Sequence, residues 1–348
     1  MISFAPAVDM FSARMGRPLA DVASAAVDRW TVAPASRCYV QPAVFLPGQI
    51  ERIERTEFAP LDVVIQGLKG DFEVEEEATV ALRLRDVDLF DGVLYAGGAV
   101  RHLRRRERRS PMHFRLEEVA EAALFETYLG NRWFGNWLAE DCITYPLAAA
   151  QGSPVTSLVT PHGRHCAEYE ALTRMPARRL SAAHFDALVL IEDRPNNAGK
   201  AQRVAAFRDA LIGGRKVERH AGTFLLRGHT GDRRVLENER ELAEDLAHRR
   251  GFKVVDPIAV GVDALVAACA GAEVIAGVEG SHLIHGIMAM PADAHLFVVQ
   301  PPRRVTTALK LFTDRVGQGY AFAVAEGGDR EFRVSLADVH RTLDACRR

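Results

Sequence analysis

Residues 271–302 constrain the fold of this chain more than any other part, because an apolar run breaks there at a glycine-rich loop and a helix-like segment follows. In a parallel sheet, residues 274–276 would form a buried strand, Gly277 and Gly280 would let the backbone turn tightly, and Ser281 would cap the next helix. The free N–H groups at the start of such a helix favour an anion. Glycine-rich turns from strand to helix are also common without a ligand, so this spacing leaves a phosphate site and a plain turn both open.

Strand-like and helix-like segments alternate through the second half of the chain. The strand-like segments read GTFLLRG, FKVVDP, EVIAGV and HLFVVQP, and helix-like segments such as LENERELAEDLAHRR and VDALVAACAG separate them. Alternation at this spacing predicts a parallel sheet with right-handed crossovers. Upstream, residues 38–103 carry short β-like runs divided by proline, glycine and acidic residues, which predicts a strand-rich N-terminal layer. We therefore expect an α/β fold.

Composition and charge are those of an ordinary globular protein. The chain has 348 residues, of which 48% are hydrophobic, so it can bury a sizeable core and form about two domains. A formal net charge of −2 gives no overall attraction to nucleic acid. No apolar run approaches the roughly 20 residues that span a bilayer, and the N-terminus lacks a signal-peptide pattern. The five cysteines are scattered and odd in number, which favours reduced thiols in a cytoplasm over disulfides.

Three further patterns point to other kinds of site. Residues 86–88, Asp-Val-Asp, match a short pattern that can hold Mg²⁺ or Mn²⁺, but this pattern is common by chance and we expect a turn there. His162, His165 and Cys166 have the spacing of zinc ligands, although no second cluster completes four ligands. The basic run at residues 101–109 predicts a solvated, exposed connection, with binding to an anionic lipid or glycan as the alternative.

Several segments, taken in order, resemble glycosyltransferase family 61. In that family a strand that ends in arginine is followed by a basic loop, an Asn-Glu pair that opens a helix, a Gly-Phe pair before the next strand, and a His-Gly-Ala-Gly-Leu loop. The matching positions here are Arg227, Arg233 with Arg234, Asn238-Glu239, Gly251-Phe252 and Glu279-Gly280-Ser281-His282-Leu283. Upstream, FGNWLAEDCITYPLA resembles the family's Phe-Gly-His-Trp/Phe-Leu-x-Asp/Glu helix, so the resemblance covers residues 125–302.

This chain departs from the family pattern at four positions. Glu279 stands where the family usually has histidine, and His282 replaces the second glycine of the loop. His285 falls where asparagine is common, and Asn136 takes the place of a histidine in the upstream helix. Bacterial relatives of the capsular polysaccharide biosynthesis type are looser in this loop, so the departures bear on the choice of donor more than on the family.

The resemblance implies a GT-B arrangement, in which two Rossmann-like domains face a cleft and the C-terminal domain holds a nucleotide-sugar without a metal. A nucleoside diphosphate leaves when the glycosidic bond breaks, so the site must stabilise about two negative charges with fixed donors and cations. The candidate side chains are Arg227 at the end of a strand and Arg234 in the next loop. The backbone of residues 280–282 would add amide donors, and Asn238 and Glu239 either contact the ligand or only cap a helix.

The resemblance also implies inversion at the sugar carbon, which needs a base near the acceptor hydroxyl. Glu140 and Asp141 are the first candidates because they lie on the helix that matches the family's N-terminal motif. For both residues, the polar face of an amphipathic helix is the alternative. Glu279 is the other candidate, and because a diphosphate would repel its carboxylate, we expect the side chain to face the sugar or the nucleoside.

Our main hypothesis is a cytoplasmic, inverting, metal-independent glycosyltransferase that moves a sugar from a nucleotide-sugar donor to a glycan or lipid-linked acceptor of a surface polysaccharide. Nucleic acid is not an expected partner, and peripheral contact with a membrane stays open. One alternative is a non-catalytic GT-B-like protein that binds a nucleotide or a polysaccharide. The other is a metal-dependent transferase that uses Asp86 and Asp88.

The expected domain organisation follows from the same segments. Residues 1–110 would form a strand-rich layer of the first domain, and residues 111–220 its Rossmann-like acceptor side. Residues 221–320 would form the nucleotide-sugar-binding domain. Residues 321–348 would be a C-terminal segment that packs back on the first domain.

Overall fold

The structure is a computed structural model that describes residues 2–107, 110–114, 116–158, 162–228 and 234–347. The described part is a mixed α/β fold with several β-sheets, so the predicted α/β class is confirmed. The chain divides into two compact units, Met1–Ala35 with Glu77–Arg203 and Ser36–Glu76 with Val204–Arg348. Within the described residues, no helix is both long enough and apolar enough to cross a membrane.

The strands and helices are numbered in chain order. The strands of the first half are β1 (Ile2–Ser3), β2 (Asp28–Ala33), β3 (Ser36–Val40), β4 (Phe72–Glu76), β5 (Thr79–Phe90), β6 (Val93–Ala96), β7 (Ala99–His102), β8 (His113–Phe114), β9 (Glu117–Leu124), β10 (Pro154–Thr156), β11 (Arg178–Arg179) and β12 (Ala182–Glu192). Those of the second half are β13 (Thr223–Leu225), β14 (Val235–Leu236), β15 (Lys253–Val255), β16 (Val274–Val278), β17 (His295–Gln300), β18 (Gly319–Val324), β19 (Glu326–Gly327) and β20 (Glu331–Arg333). The α-helices are α1 (Ala5–Arg14), α2 (Leu61–Lys69), α3 (Tyr128–Arg132), α4 (Phe134–Asn136), α5 (Cys142–Gln151), α6 (Arg164–Leu172), α7 (Ala198–Ile212), α8 (Glu239–Arg250), α9 (Val262–Cys269), α10 (Ile284–Ala289), α11 (Ala308–Arg315) and α12 (Leu336–Ala345). Short 3-10 turns occur at Val22–Ala25 and Ser281–Leu283, and a π-helical turn at Trp137–Asp141.

The first unit is built on a mixed sheet in the order β11-β10-β9-β12-β5-β6-β7, with β2 also beside β5. The long strand β12 lies parallel to β9 and antiparallel to β5. Its amino-terminal part alternates buried and more exposed side chains, whereas the part that follows Asp186 is largely buried. The β-like runs of residues 79–102 and the later strand β12 therefore share one sheet. The prediction of strands is wrong for residues 61–69, which form helix α2.

The second unit contains a parallel sheet in the order β15-β13-β16-β17-β18, which confirms the parallel sheet that the alternating segments predict. All five residues of β16 are buried. Gly277 is needed in this strand because an added Cβ would lie 2.8 Å from the Leu225 carbonyl oxygen and 2.8 Å from the Leu283 side chain. The carboxyl ends of β13, β16 and β17 meet at one edge of the sheet, where ligands of parallel α/β proteins bind.

The segment Ser36–Glu76 belongs to the second unit, although most of the first unit follows it in the chain. β3 and β4 form an antiparallel hairpin. Single bridges join Val44 to Ala321 and Thr56 to Val305. The boundaries expected at residues 110, 220 and 320 remain predictions of the sequence.

Candidate functional site

Arg227 lies just beyond the carboxyl end of β13, and its side chain is turned toward the loop after β16. The residue is 6% exposed. Its Nη1 donates a hydrogen bond to the carbonyl oxygen of Glu279 at 3.2 Å. A Cβ added to Gly280 would overlap this Nη1, so glycine is what allows the guanidinium to lie so close to the loop. The structure therefore brings Arg227 and Gly280 together.

The carboxylate of Glu279 lies between two more arginines. Glu279 is 6% exposed, and its Oε2 accepts hydrogen bonds from Arg234 Nη1 and, at 3.2 Å, from Arg304 Nη1. Arg304 also lies over the ring of Phe58, 5.4 Å from its centroid, and its Nε is 3.8 Å from the Glu57 carboxylate. Three guanidinium groups thus meet at Glu279, one at its carbonyl oxygen and two at its carboxylate.

Glu239, the first residue of α8, fixes the turn that carries Arg227. Its Oε1 accepts a hydrogen bond from the Arg227 amide at 2.7 Å, and its Oε2 accepts one from the Gly228 amide at 2.9 Å. Asn238 makes no capping bond, and its amide instead pairs with the backbone of Val334 at 2.9 Å and 3.1 Å. Glu239 therefore positions the turn after β13, and Asn238 fastens α8 to the chain after β20.

The chain after β16 forms the 3-10 turn Ser281–Leu283, which continues into the short helix α10. Gly280 occupies the cap position, so the prediction that Ser281 caps this helix is wrong. His282 as a whole residue is half-buried, and its ring nitrogen Nε2 is buried. Its pKa lies well below the usual value, because burial and the positive charge of Arg227 both disfavour protonation. The imidazole is therefore neutral near pH 7 and can donate one hydrogen bond.

A cavity of about 350 Å³ adjoins the carboxyl ends of β13 and β15. Arg227, Gly228 and Asp256 are among the residues that line it. Its volume is in the range of pockets that bind small ligands. Arg233, which the resemblance places beside Arg234, lies outside the described residues.

Glu140 lies in the first unit on the π-helical turn, and 19% of its side chain is exposed. Its Oε2 accepts a hydrogen bond from Lys200 Nζ at 2.8 Å. Lys200 is fully buried, and its ammonium also donates to the carbonyl oxygen of Asp193. The Asp193 carboxylate accepts a hydrogen bond from Arg203 Nη2 at 2.6 Å. The turn therefore sets a partly exposed carboxylate next to a buried ammonium.

Asp141 is inside the protein. It has no exposed surface, and its Oδ1 accepts hydrogen bonds from the amide and the hydroxyl of Thr127 at 3.1 Å and 2.9 Å. Gly130 packs so closely that an added Cβ would overlap the carboxyl group. Burial raises the pKa of Asp141 well above 3.8, because the charged form is poorly solvated there. The expectation of a polar helix face is therefore wrong for Asp141, and the side chain cannot reach an acceptor in this conformation.

Sequence reasoning does not single out Arg304 or Lys200. Arg304 follows β17, which belongs to the same parallel sheet as β13 and is separated from it by β16. An arginine after another parallel strand of that sheet is a signal that could have found it. Lys200 is one of five lysines among the 44 basic residues. A lysine kept in such an arginine-rich chain is a weaker signal, because only the structure shows that it is buried.

Two sequence patterns that resemble metal sites, at residues 86–88 and 162–166, remain to be located in the structure. Asp86 and Asp88 lie inside β5, so the predicted turn is wrong, although Asp86 has a φ of +50°. His162 Nε2 lies 2.6 Å from the carbonyl oxygen of Gly130. Within the described ranges, His162 joins no group of side chains whose ligand atoms could share a metal ion.

In the basic run at residues 101–109, acidic side chains neutralise most of the arginines that the structure describes. The ion pairs join Arg101 to Asp21 and Glu192 at 2.5 Å each, Arg104 to Asp91 at 3.1 Å, and Arg106 to Asp9 at 2.6 Å. The expected solvated connection is wrong for these three arginines, because acidic partners of the same unit hold them. Arg108 and Arg109 lie outside the described residues.

Comparisons with known proteins bear on the family of this chain. A comparison with curated proteins gives no match. Among solved structures, the chain is similar to the metal-soaked Flv1 flavodiiron core from Synechocystis sp. PCC6803 at 10% identity and a TM-score of 0.26. The match covers 52% of this chain and 45% of that chain, so the chain spans less than half of that protein's length. A likeness this weak carries no argument.

The model of the family described as Glycosyltransferase 61 matches residues 56–297. This range is more than half of the chain and includes Arg227, Arg234, Glu239 and Glu279. The chain therefore belongs to glycosyltransferase family 61.

Proposed function

We propose that the chain is an inverting, metal-independent glycosyltransferase that moves a sugar from a nucleotide-sugar donor to a glycan or lipid-linked acceptor of a surface polysaccharide. The observation that carries the proposal is the convergence of Arg227, Arg234 and Arg304 on Glu279, in a chain of family 61. A GT-B arrangement and a bacterial capsular role come from the resemblance, and a cytoplasmic location comes from the cysteine pattern; all three form part of the same proposal.

The arginines suit the leaving group of a sugar transfer. A departing nucleoside diphosphate gains negative charge, and donors that are already in place stabilise it most. Guanidinium groups stay charged and bind phosphate oxygens in bidentate pairs. Arg227 has its backbone held by Glu239, so it needs little reorganisation to bind. In this proposal the diphosphate lies at Arg227 and the nucleoside occupies the adjoining cavity of about 350 Å³.

Glu279 positions Arg234 and Arg304 in this proposal and does not act as the base. Its Oε2 is bound by both guanidinium groups. Each guanidinium has five N–H donors, so one guanidinium can bind a carboxylate and a phosphate at the same time. Without the carboxylate, two poorly solvated cations would repel each other.

Glu140 is the base in this proposal. Asp141 is fully buried and Glu279 is bound by arginines, whereas Glu140 keeps exposed surface. The ammonium of Lys200 holds one oxygen of Glu140. The carboxylate would accept the proton of the acceptor hydroxyl while that oxygen attacks the anomeric carbon and the diphosphate departs.

Binding of nucleoside diphosphates tests the proposal. UDP or GDP in excess EDTA should raise the melting temperature, since a ligand that binds the folded state stabilises it. Arg227→Ala should abolish this shift. Arg219→Ala is the matched control, because Arg219 is an exposed arginine that precedes β13 and so lies at its amino end. The absence of a shift with any nucleoside diphosphate would contradict the proposal, and a shift that needs Mn²⁺ would favour a metal-dependent transferase.

A non-catalytic protein that binds a nucleotide or a polysaccharide is the second candidate. The observation that favours it is that Asp141 is inaccessible and Glu279 is bound by arginines, which leaves Glu140 alone among the three expected bases. An assay of sugar transfer and donor hydrolysis separates the two candidates. Nucleotide binding without turnover of any donor would support the second candidate, and turnover would exclude it.

A further inference from the structure

Neighbouring strands of the first unit set ionisable side chains in one row. On β12, His184 is in register with Glu118 of β9 and with Asp88 of β5. Residues in register on adjacent strands project from the same face, and Asp186 shares this face because it lies two residues further along β12. Glu118 and Asp186 are exposed and His184 is half-buried. An ion in solvent can therefore reach the row.

The atoms of this row that could bind a metal are close together. Those of Glu118, His184 and Asp186 all lie within 4.8 Å of one another, and His184 Nε2 is 4.0 Å from Asp186 Oδ1. Imidazole and carboxylate ligands at about 2.0–2.2 Å from a tetrahedral zinc ion are about 3.4 Å apart. Small rotations of the two exposed carboxylates close the remaining gap, and their two negative charges balance the dication.

Asp88 already orients the histidine as a metal ligand requires. Its Oδ1 lies 2.7 Å from His184 Nδ1, which assigns the ring proton to Nδ1. Histidines that bind a metal commonly donate their other N–H to a carboxylate in this way. The Nε2 lone pair of His184 is therefore available for a metal, and Nε2 lies 4.0 Å from Asp186 Oδ1.

A small cavity and a buried histidine lie beside the same row. The cavity is about 130 Å³, and Asp88, His113, Glu118 and His184 are among its lining residues. His113 is 3% exposed, and neither of its ring nitrogens makes a hydrogen bond within the described part of the chain. Its Nε2 lies 3.2 Å from Asp88 Oδ2. A buried imidazole whose hydrogen bonds are unmade is costly, which points to a water or an ion in this cavity.

We infer that Glu118, His184 and Asp186 bind a zinc ion, with Asp88 holding the ring of His184 and water completing the coordination. The ion ties β9 to β12 and stabilises the first unit. All of its ligands belong to the first unit, whereas the arginines of the proposed donor site belong to the second. The zinc site shares no residue with the proposed donor site and does not include the proposed base Glu140, and zinc binding is measured without nucleotide.

Isothermal titration of the whole protein tests this inference, after bound metal has been stripped with EDTA and the EDTA removed. We expect one zinc ion per chain at this site. Mg²⁺ and Ca²⁺ should bind at least 100-fold more weakly, because these ions favour sites built from oxygen ligands alone. An absence of zinc binding would overturn the inference.

Variants of the row separate a built site from adventitious binding. Glu118→Gln and Asp186→Asn change exposed side chains and should each weaken zinc binding at least tenfold. Asp88→Asn should weaken it by about 10-fold to 100-fold, because the asparagine no longer fixes the histidine as a carboxylate does. Glu121→Gln, an exposed residue of the same strand β9, is the matched control. Equal zinc affinity in the folded Glu118→Gln and Asp186→Asn variants and in the unchanged protein would overturn the inference.

Discussion

The contact between Gly280 and the guanidinium of Arg227 sets the shape of the candidate donor site. Arg227 reaches the loop because residue 280 has no side chain, and Glu239 holds the amide of Arg227 from the other side. The carboxylate of Glu279 accepts hydrogen bonds from Arg234 and Arg304, so these two guanidinium groups lie at the same loop. These residues are buried or mostly buried. A small change in side-chain volume or charge among them should therefore shift the positions of the arginine side chains.

Gly280→Ala should lower the affinity for a nucleoside diphosphate about tenfold, or ~1.4 kcal/mol, because the new methyl group displaces the Arg227 guanidinium. Isothermal titration with UDP or GDP measures the change. Gly328→Ala is the control, because its added Cβ would meet only an ordinary contact at 3.8 Å. An unchanged affinity in Gly280→Ala would show that the contact does not shape the site.

Asp141 gives a prediction about stability and pH. Its pKa is raised in the folded protein, so its contribution to stability is complete below about pH 3.8 and is lost as the pH rises through the folded pKa. Asp141→Asn cannot ionise and keeps an acceptor for Thr127. The difference between the melting temperature of the variant and that of the unchanged protein should therefore increase in favour of the variant as the pH rises from about 4 to about 8. Asp209→Asn, an exposed carboxylate, is the control, and a difference that stays constant with pH would contradict this account.

At the scale of elements, the second unit is the part that local sequence pattern predicts best. Four of the five strands of its parallel sheet are short, largely buried apolar runs, and a helix lies between each strand of this sheet and the next along the chain. The first unit is harder because a π-turn inserts an extra residue at Trp137–Asp141 and shifts the faces of the helix. Glu140 and Asp141 have the same charge and adjacent positions, so only this turn decides which one is buried.

Segments that pair over long distances along the chain also escape a local reading. The segment Ser36–Glu76 joins the second unit through bridges such as Val44 to Ala321, and no periodicity in either segment encodes that choice. The family resemblance singles out Arg227, Arg234 and Glu239 as candidates because it carries information that periodicity does not. Arg304 belongs to no part of that resemblance.

Glu239→Ala tests the role of α8 in holding the turn after β13. The change removes two charge-assisted hydrogen bonds, so unfolding in urea should show a loss of about 2 kcal/mol or more. Release of the turn should also weaken nucleoside diphosphate binding about tenfold. Glu241→Ala on the same helix removes only an exposed ion pair and should cost under about 1 kcal/mol with no effect on binding. Equal effects of the two changes would contradict the positioning role.

At the scale of the whole molecule, membership of family 61 and the arginine cluster lead to the same class of reaction. The family match spans parts of both compact units. The sequence predicts the family, and the site residues that it singles out stay predictions. It cannot predict which carboxylate is accessible, because accessibility depends on packing.

Glu140→Gln separates catalysis from binding. If Glu140 is the base, the change should lower kcat at least 100-fold, because glutamine cannot accept the acceptor proton. The thermal shift with UDP or GDP should stay unchanged, since the residue lies in the first unit and the arginines in the second. Glu121→Gln, an exposed carboxylate of the first unit, should keep full turnover. A turnover in Glu140→Gln within tenfold of normal would remove Glu140 from the mechanism.

The central claim is that the arginine cluster of the second unit binds the diphosphate of a nucleotide-sugar. A crystal structure of the protein with bound UDP or GDP, grown in EDTA, measures this most directly. We expect phosphate oxygens within hydrogen-bond distance of the Arg227 guanidinium and of at least one of Arg234 and Arg304. A nucleotide bound elsewhere, with no phosphate oxygen within hydrogen-bond distance of the Arg227 guanidinium, would contradict the claim.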